Sequence, residues 1–261
     1  MTNTRTTAAR EDLRLEPARV PATSASMRQA RTPDDEDIHP DGSRAAFVLR
    51  DWAADQPKSV ARIWTVPLGG GQATALTAGP GNDTHPRWSP DGQQLAFLST
   101  RDGEQGGSKA QVYVMPASGG TPRRICTLPN GVESFAWSPD GHRLALLTWE
   151  GDEPAKDPIV VAPDRHRRLW TVGLTSDQPA PVTPANLTIW EYAWSPDGQQ
   201  FAIYYSAGPG ETDWYRGQVG TVPAEGGAVR RLTRLNRQAA ALAWAPDSSR
   251  IAYISGEWSD R

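Results

Sequence analysis

A five-residue phrase recurs along this chain and constrains its architecture more than any other feature. Trp88-Ser89-Pro90-Asp91-Gly92, Trp137-Ser138-Pro139-Asp140-Gly141 and Trp194-Ser195-Pro196-Asp197-Gly198 are intact copies. Trp244-Ala245-Pro246-Asp247-Ser248 is a degraded copy, and Ile38-His39-Pro40-Asp41-Gly42 lacks the tryptophan. The aspartates fall at 41, 91, 140, 197 and 247, so the spacings are 50, 49, 57 and 50 residues. Self-similarity at such a period marks an array of supersecondary units, each burying its apolar faces only against its neighbours.

Every repeat has the same internal grammar. The phrase is a turn: proline presets φ at the first corner, aspartate accepts backbone N–H groups, and glycine tolerates positive φ. Ser248 stands where the other copies carry glycine, which costs on the order of 1–2 kcal/mol if the turn is kept. After the turn comes a run that is apolar on both faces, as in Leu95-Ala96-Phe97-Leu98, Leu144-Ala145-Leu146-Leu147, Phe201-Ala202-Ile203-Tyr204 and Ile251-Ala252-Tyr253-Ile254. Such a run suits a strand sandwiched between two sheets. Arg62-Ile63-Trp64-Thr65-Val66 and Arg168-Leu169-Trp170-Thr171-Val172 are near-duplicate third strands. Gly-Gly pairs at 70–71, 119–120 and 226–227 suit tight turns into short fourth strands. Four antiparallel strands per repeat make a propeller blade. The expected fold is all-β, a β-propeller of four-stranded antiparallel blades, with about four to five blades present at about 37–78, 84–128, 132–184, 189–234 and, in part, 239–261.

The count does not close. The fifth repeat stops after two strands, and residues 1–36 have little strand character, so they are expected to be a flexible N-terminal arm. The propeller is then expected to be incomplete and the chain to be a fragment of something longer. Trp88, Trp137, Trp194 and Trp244 are expected to pack between blades, and Asp91, Asp140, Asp197 and Asp247 to brace turns rather than act as acids.

Composition excludes several function classes. The 27 basic and 30 acidic residues give a net charge of −3, without the basic excess that nucleic acid or an anionic membrane favours. No apolar run approaches the ~20 residues of a membrane helix. No secretory apolar core is visible within residues 1–30, and the single cysteine, Cys126, excludes an intrachain disulfide. A cytoplasmic protein is expected. The four histidines lack zinc-type spacing and read as surface residues, the acidic stretch 34–37 reads as solvated, and no phosphate-binding loop is present. No metal and no cofactor are expected.

The Trp-Ser-Pro-Asp-Gly repeat, from about residue 38 to 261, resembles the propeller of the prolyl oligopeptidase family of serine peptidases, of acylaminoacyl-peptidase and dipeptidyl-aminopeptidase type, and also the TolB-like propeller. His39-Pro40-Asp41-Gly42-Ser43-Arg44-Ala45-Ala46-Phe47-Val48, Trp190-Glu191-Tyr192-Ala193-Trp194 and Trp258-Ser259-Asp260-Arg261 look like the peptidase group. That resemblance implies an α/β-hydrolase domain elsewhere in the same polypeptide, carrying the serine nucleophile. This chain contains no Gly-x-Ser-x-Gly, so no catalytic residue is assigned. The implied role is a noncatalytic propeller that gates and positions short peptides. The alternative is a stand-alone TolB-like propeller serving as a protein–protein interaction scaffold. Dipeptidyl-peptidase relatives hold the substrate N-terminus with paired glutamates, and no Glu-Glu dipeptide occurs here.

Within a blade, the first-to-second and third-to-fourth turns share one face, and the second-to-third loops and blade links share the other. The first face is uniform. The second carries the variation, in loops 99–109, 149–167 and 206–216, and function concentrates on variable loops over a rigid scaffold. Trp214, Tyr215 and Arg216 combine aromatic area with hydrogen-bond donors. Together with Trp190 and Glu191 in a blade link, they are the candidate substrate- or partner-facing residues. The charged run 156–167 reads as a solvated loop.

Overall fold

The turn phrase works through one geometry. In the computed structural model, which describes residues 33–51, 59–79, 81–102, 109–152, 165–235 and 238–256, the serine hydroxyl donates to the aspartate Oδ1 at 2.6 Å in Ser89–Asp91, 2.5 Å in Ser138–Asp140 and 2.6 Å in Ser195–Asp197. The same oxygen accepts the backbone N–H two residues on, from Gln93, His142 and Gln199 at 3.0 Å each. These donors favour the ionised carboxylate, so Asp91, Asp140 and Asp197 are held below the usual carboxylate range. The glycines adopt φ of +69° to +72°, where a side chain would be strained. Degraded copies keep the turn by other atoms. His39 Nδ1 lies 2.7 Å from Asp41 Oδ1 where serine would stand. In the last copy Ser249 Oγ donates to Asp247 Oδ1 at 2.7 Å. Ser248 accepts a φ of +59°, and its hydroxyl takes the Asp197 N–H of the neighbouring turn at 3.1 Å.

These turns join antiparallel strands into four four-stranded sheets and one two-stranded sheet. The first sheet is β1 (Asp34–Ile38), β2 (Arg44–Asp51), β3 (Val60–Pro67) and β4 (Thr74–Ala75). The second is β5 (Asp83–Trp88), β6 (Gln94–Ser99), β7 (Gln111–Pro116) and β8 (Arg123–Arg124). The third is β9 (Ser134–Trp137), β10 (Arg143–Glu150), β11 (His166–Gly173) and β12 (Ala180–Pro181). The fourth is β13 (Thr188–Trp194), β14 (Gln200–Ser206), β15 (Gln218–Pro223) and β16 (Arg230–Arg234), with one short helix, α1 (Glu211–Tyr215), in its second loop. The last is β17 (Gln238–Trp244) and β18 (Ile251–Gly256). Strands run in chain order from one edge of each sheet to the other, and first strands of successive sheets touch, β1 with β5, β5 with β9 and β13 with β17. This is the radial arrangement of a propeller, with first strands innermost.

Each joint between sheets has its own apolar core. Ala46 and Ile63 meet Trp88, Leu95 and Phe97 at the first joint. Leu98, Val112 and Val114 meet Phe135, Leu144 and Leu146 at the second. Leu147, Leu169 and Val182 meet Ile189, Phe201 and Ile203 at the third, and Tyr204 and Val219 meet Ala239 at the fourth. Indoles peg the joints: the Nε1–H of Trp88, Trp137 and Trp244 donates to the carbonyls of Asp37, Arg87 and Ala193 at 3.2, 3.0 and 3.1 Å.

The first strand begins earlier than the sequence suggests, and the boundary drawn at residue 36 falls inside β1. The acidic stretch is not simply solvated: Asp35 binds His85 and Arg87 of the second sheet, and Asp37 Oδ2 accepts the Trp88 N–H at 2.7 Å. Residues 1–32 and Trp258-Ser259-Asp260-Arg261 lie outside the described residues.

Removing an indole peg tests this account. Trp137→Ala should lower unfolding free energy by about 3 kcal/mol, combining lost packing with a cavity. Trp137→Phe, which keeps most of the ring but not the N–H, should cost about 1 kcal/mol. Both are read from urea unfolding monitored by circular dichroism, and a loss below about 1 kcal/mol for the alanine variant would show that the joint does not depend on the peg.

Candidate functional site

A β-bulge creates the most distinctive surface feature. Along β13 the pairing steps from Ile189–Tyr205 to Glu191–Tyr204, which leaves Trp190 as the extra residue. A bulge re-aims the side chain it carries. Here the Trp190 Nε1–H donates to Ser206 Oγ at 2.8 Å, and the ring forms one wall of a cavity of about 320 Å³. Arg167, Pro209, Glu211 and Trp214 complete the lining.

The opposite wall is held by loop 207–217. Asp213 Oδ2 accepts the Gly210 N–H at 3.2 Å, while the Asp213 and Trp214 N–H groups donate to the Gly210 carbonyl at 3.0 and 3.1 Å. The Tyr204 hydroxyl, rising from β14, donates to the Trp214 carbonyl. Gly217 is required beneath it, because a Cβ there would fall 2.4 Å from the Tyr204 ring. Trp214 packs with Trp190 and Leu242 against the buried cluster of Tyr204, Val219 and Ala239. The cavity is therefore preformed on a braced loop rather than on a free one.

Arg167 enters from the third sheet. Its Nε and Nη2 both bind the Glu133 carboxylate at 3.0 Å, and its guanidinium lies over Trp149 at 4.7 Å and Trp190 at 5.3 Å. Reading the run through Arg167 as a solvated loop is thus corrected at its end: Arg167 and Arg168 belong to β11, where indoles and carboxylates attract them off the surface. Of the five candidate residues, Trp190 and Trp214 meet at the cavity. Glu191 turns aside, its Oε2 accepting the Leu242 N–H of the fifth sheet at 3.3 Å. Tyr215 packs edge-on against Trp214, with ring centroids 5.1 Å apart, and exposed Arg216 closes α1 through its N–H to Asp213 O at 3.1 Å. Pro209, Glu211 and Arg167 were not singled out from sequence; the loop's variability was a signal for the first two, and nothing local marked Arg167. The middle of loops 99–109 and 149–167 lies outside the described residues.

A second polar cluster occupies the first strands of the first two sheets. His85 and Asp35 both take positive φ, 58° and 54°, in bulged stretches of β5 and β1. The His85 ring donates from Nδ1 to Asp35 Oδ2 at 3.1 Å, Arg87 binds Asp35 Oδ1 at 2.9 Å, and Phe135 covers the imidazole edge-on at 5.5 Å. Burial and then the Arg87 charge push the His85 pKa down, and both outweigh Asp35, which Arg87 already neutralises. Burial raises Asp37 above the usual carboxylate range. Reading all four histidines as surface residues therefore fails for His39 and His85: both fill positions between blades, with His39 Nε2 bonded to the Gly92 carbonyl at 2.9 Å. Among the described residues no group of three or more His, Cys, Asp or Glu side chains is arranged to hold a metal ion, and no helix is long and apolar enough to cross a membrane.

With this geometry in view, comparison with known proteins is informative. The family model of the Tricorn protease N-terminal beta propeller domain matches residues 60–203. Over 65 residues, a quarter of the chain, the sequence is 40% identical to the uncharacterized peptidase YuxL of Bacillus subtilis and 40% identical to Tricorn protease homolog 1 of Streptomyces coelicolor. The matched stretch spans 10% and 5% of those relatives. Among solved structures, a puromycin-hydrolyzing peptidase of Mycobacterium tuberculosis superposes with a TM-score of 0.60 at 17% identity, over 88% of this chain and 39% of that one. The β-propeller domain of the Trilobed protease from Pyrococcus furiosus gives 0.57 at 16% identity, over 87% and 64%. At such identities the superpositions show the fold alone.

The half-buried His85 imidazole generates a pH prediction. Because the folded pKa of His85 lies below its ordinary value, the unfolded chain binds the proton more readily. Its contribution to stability is present above about pH 6.5 and is lost as pH falls from there towards the folded pKa. Asp37, raised, works in the opposite sense, and its contribution is lost as pH rises from about 4. The urea midpoint should fall between pH 8 and pH 5.5, and His85→Gln should flatten that slope. An unchanged slope in the variant would remove His85 as its cause.

Proposed function

The chain belongs to the family of Tricorn protease N-terminal β-propeller domains, and on that premise we propose that it is the noncatalytic propeller region of a peptidase. In this reading it admits and positions short peptides for a separate hydrolase domain of α/β type. The observation that carries the reading is the preformed cavity between Trp190 and Trp214, which lies on the variable loop face of a scaffold whose other turns are uniform. Concave sites lined by aromatic groups with a few polar ones are the usual form of small-ligand sites. The serines of the repeat do not suit nucleophilic roles, since their hydroxyls bind the turn aspartates.

Binding without chemistry is the corresponding expectation. A cytoplasmic setting accompanies this reading; burial pushes the Cys126 thiol pKa up to about 11 and leaves it unreactive at neutral pH.

The test is to titrate this chain with blocked peptides of about four to ten residues while following tryptophan fluorescence, and to assay the same mixtures for cleavage. Weak saturable binding without hydrolysis is expected. Failure to bind any short peptide, together with capture of a folded protein at the same face, would replace the reading with an interaction scaffold.

A further inference from the structure

The polar groups around the Trp190–Trp214 cavity are unequally committed to the fold, and that inequality selects a ligand. Arg167 is already paired, because Glu133 holds both its Nε and its Nη2 at 3.0 Å while two indoles cover the guanidinium. The Trp190 N–H belongs to Ser206, whose own hydroxyl donates to the Gly208 carbonyl at 2.6 Å. Asp213 is bound to the Gly210 N–H. What the walls still offer is indole surface, the Pro209 ring and the exposed carboxylate of Glu211, whose contact with the Tyr215 hydroxyl is long, at 3.4 Å.

We propose that this cavity takes the side chain of a lysine or arginine within a peptide. The alkyl stem lies against Pro209 and the edge of Trp190, and the cation meets the Trp214 π face and the Glu211 carboxylate. Arg167 does not repel it strongly, since its charge is matched by Glu133. A volume of about 320 Å³ has room for one long side chain with part of its backbone. The proposal rests on the peptide-handling reading above and gives it a specificity.

Three blocked tripeptides separate the possibilities: acetyl-Gly-Lys-Gly-amide, its neutral norleucine isostere and its phenylalanine analogue. Each is titrated into this chain, with indole N–H shifts followed by nuclear magnetic resonance. The lysine peptide should bind about fivefold tighter than the norleucine peptide, and more so at low salt. Glu211→Gln, a change at an exposed position, should remove most of that preference, and Trp214→Leu should weaken lysine-peptide binding about tenfold. Equal affinity for the lysine and norleucine peptides, tighter binding of the phenylalanine peptide, or a preference retained in Glu211→Gln would overturn the inference and leave peptide handling intact. If none of the three binds, the inference falls, and the reading beneath it falls as well only if the longer blocked peptides also fail to bind.

Discussion

An indole reaching backward to the preceding sheet is the interaction on which the rest of this structure depends. A sheet twisted about a radial axis has no backbone partner on its flat faces, so neighbours must be registered by side chains. The Trp88, Trp137 and Trp244 indoles do this, each bonding the carbonyl 50 or 51 residues earlier in the chain. The acceptors Arg87 and Ala193 are the residues just before a repeat tryptophan, and Asp37 precedes Ile38, which occupies the tryptophan position. Each peg therefore copies the height of one turn onto the next. Trp194 keeps the packing without the bond: its Nε1 is buried without a partner in the structure, an arrangement costing about 1–3 kcal/mol. Its ring instead lies 4.0 Å from Phe201 and under the Arg143 guanidinium at 5.3 Å, contacts that offset part of that cost.

Because the pegs transmit height, the turns must share one shape, and this explains why the phrase survives in altered chemistry. An imidazole at 39 and a hydroxyl at 249 reach the same aspartate oxygen that serine reaches elsewhere. Asp41, with its hydrogen bonds to Ser43 and His39, is drawn down to about 2. The turn is thus specified by an ionised carboxylate with converging donors, and which residue supplies the donor is secondary.

That logic also divides what was legible in the sequence from what was not. Sheet order, the apolar second strands and the joints follow from a repeat whose every element recurs locally. The start of β1 was hidden, because Asp34-Asp35-Glu36 gains its reason to be a strand from His85, Arg87 and Trp88, about fifty residues away. The same blindness governed the cavity. Trp190 and Trp214 were accessible through their positions on the irregular face, whereas Arg167 joins them only because the third and fourth sheets meet there. Glu191, adjacent to Trp190 in sequence, points away from the cavity and bonds the Leu242 N–H of the fifth sheet. Sequence neighbours need not share a site, and residues on successive sheets converge on one.

The exposed last sheet shows why the cavity sits where it does. Ile251-Ala252-Tyr253-Ile254 repeats the pattern of Leu95-Ala96-Phe97-Leu98, yet Ile254 is 63% exposed while Leu98 is 6% exposed. In Leu95-Ala96-Phe97-Leu98 the apolar character on both faces becomes burial because a sheet stands on each side. The fourth sheet has that double support: its β14 is buried along nearly its whole length, and it anchors Tyr204 beneath Trp214. The third sheet supplies Arg167 and Glu133 from an equally supported position. A cavity built across that joint draws its rigidity from two apolar cores at once, the one joining the third and fourth sheets and the one joining the fourth and fifth. A ligand entering it therefore meets walls already in place, and ordering them adds little to the cost of binding.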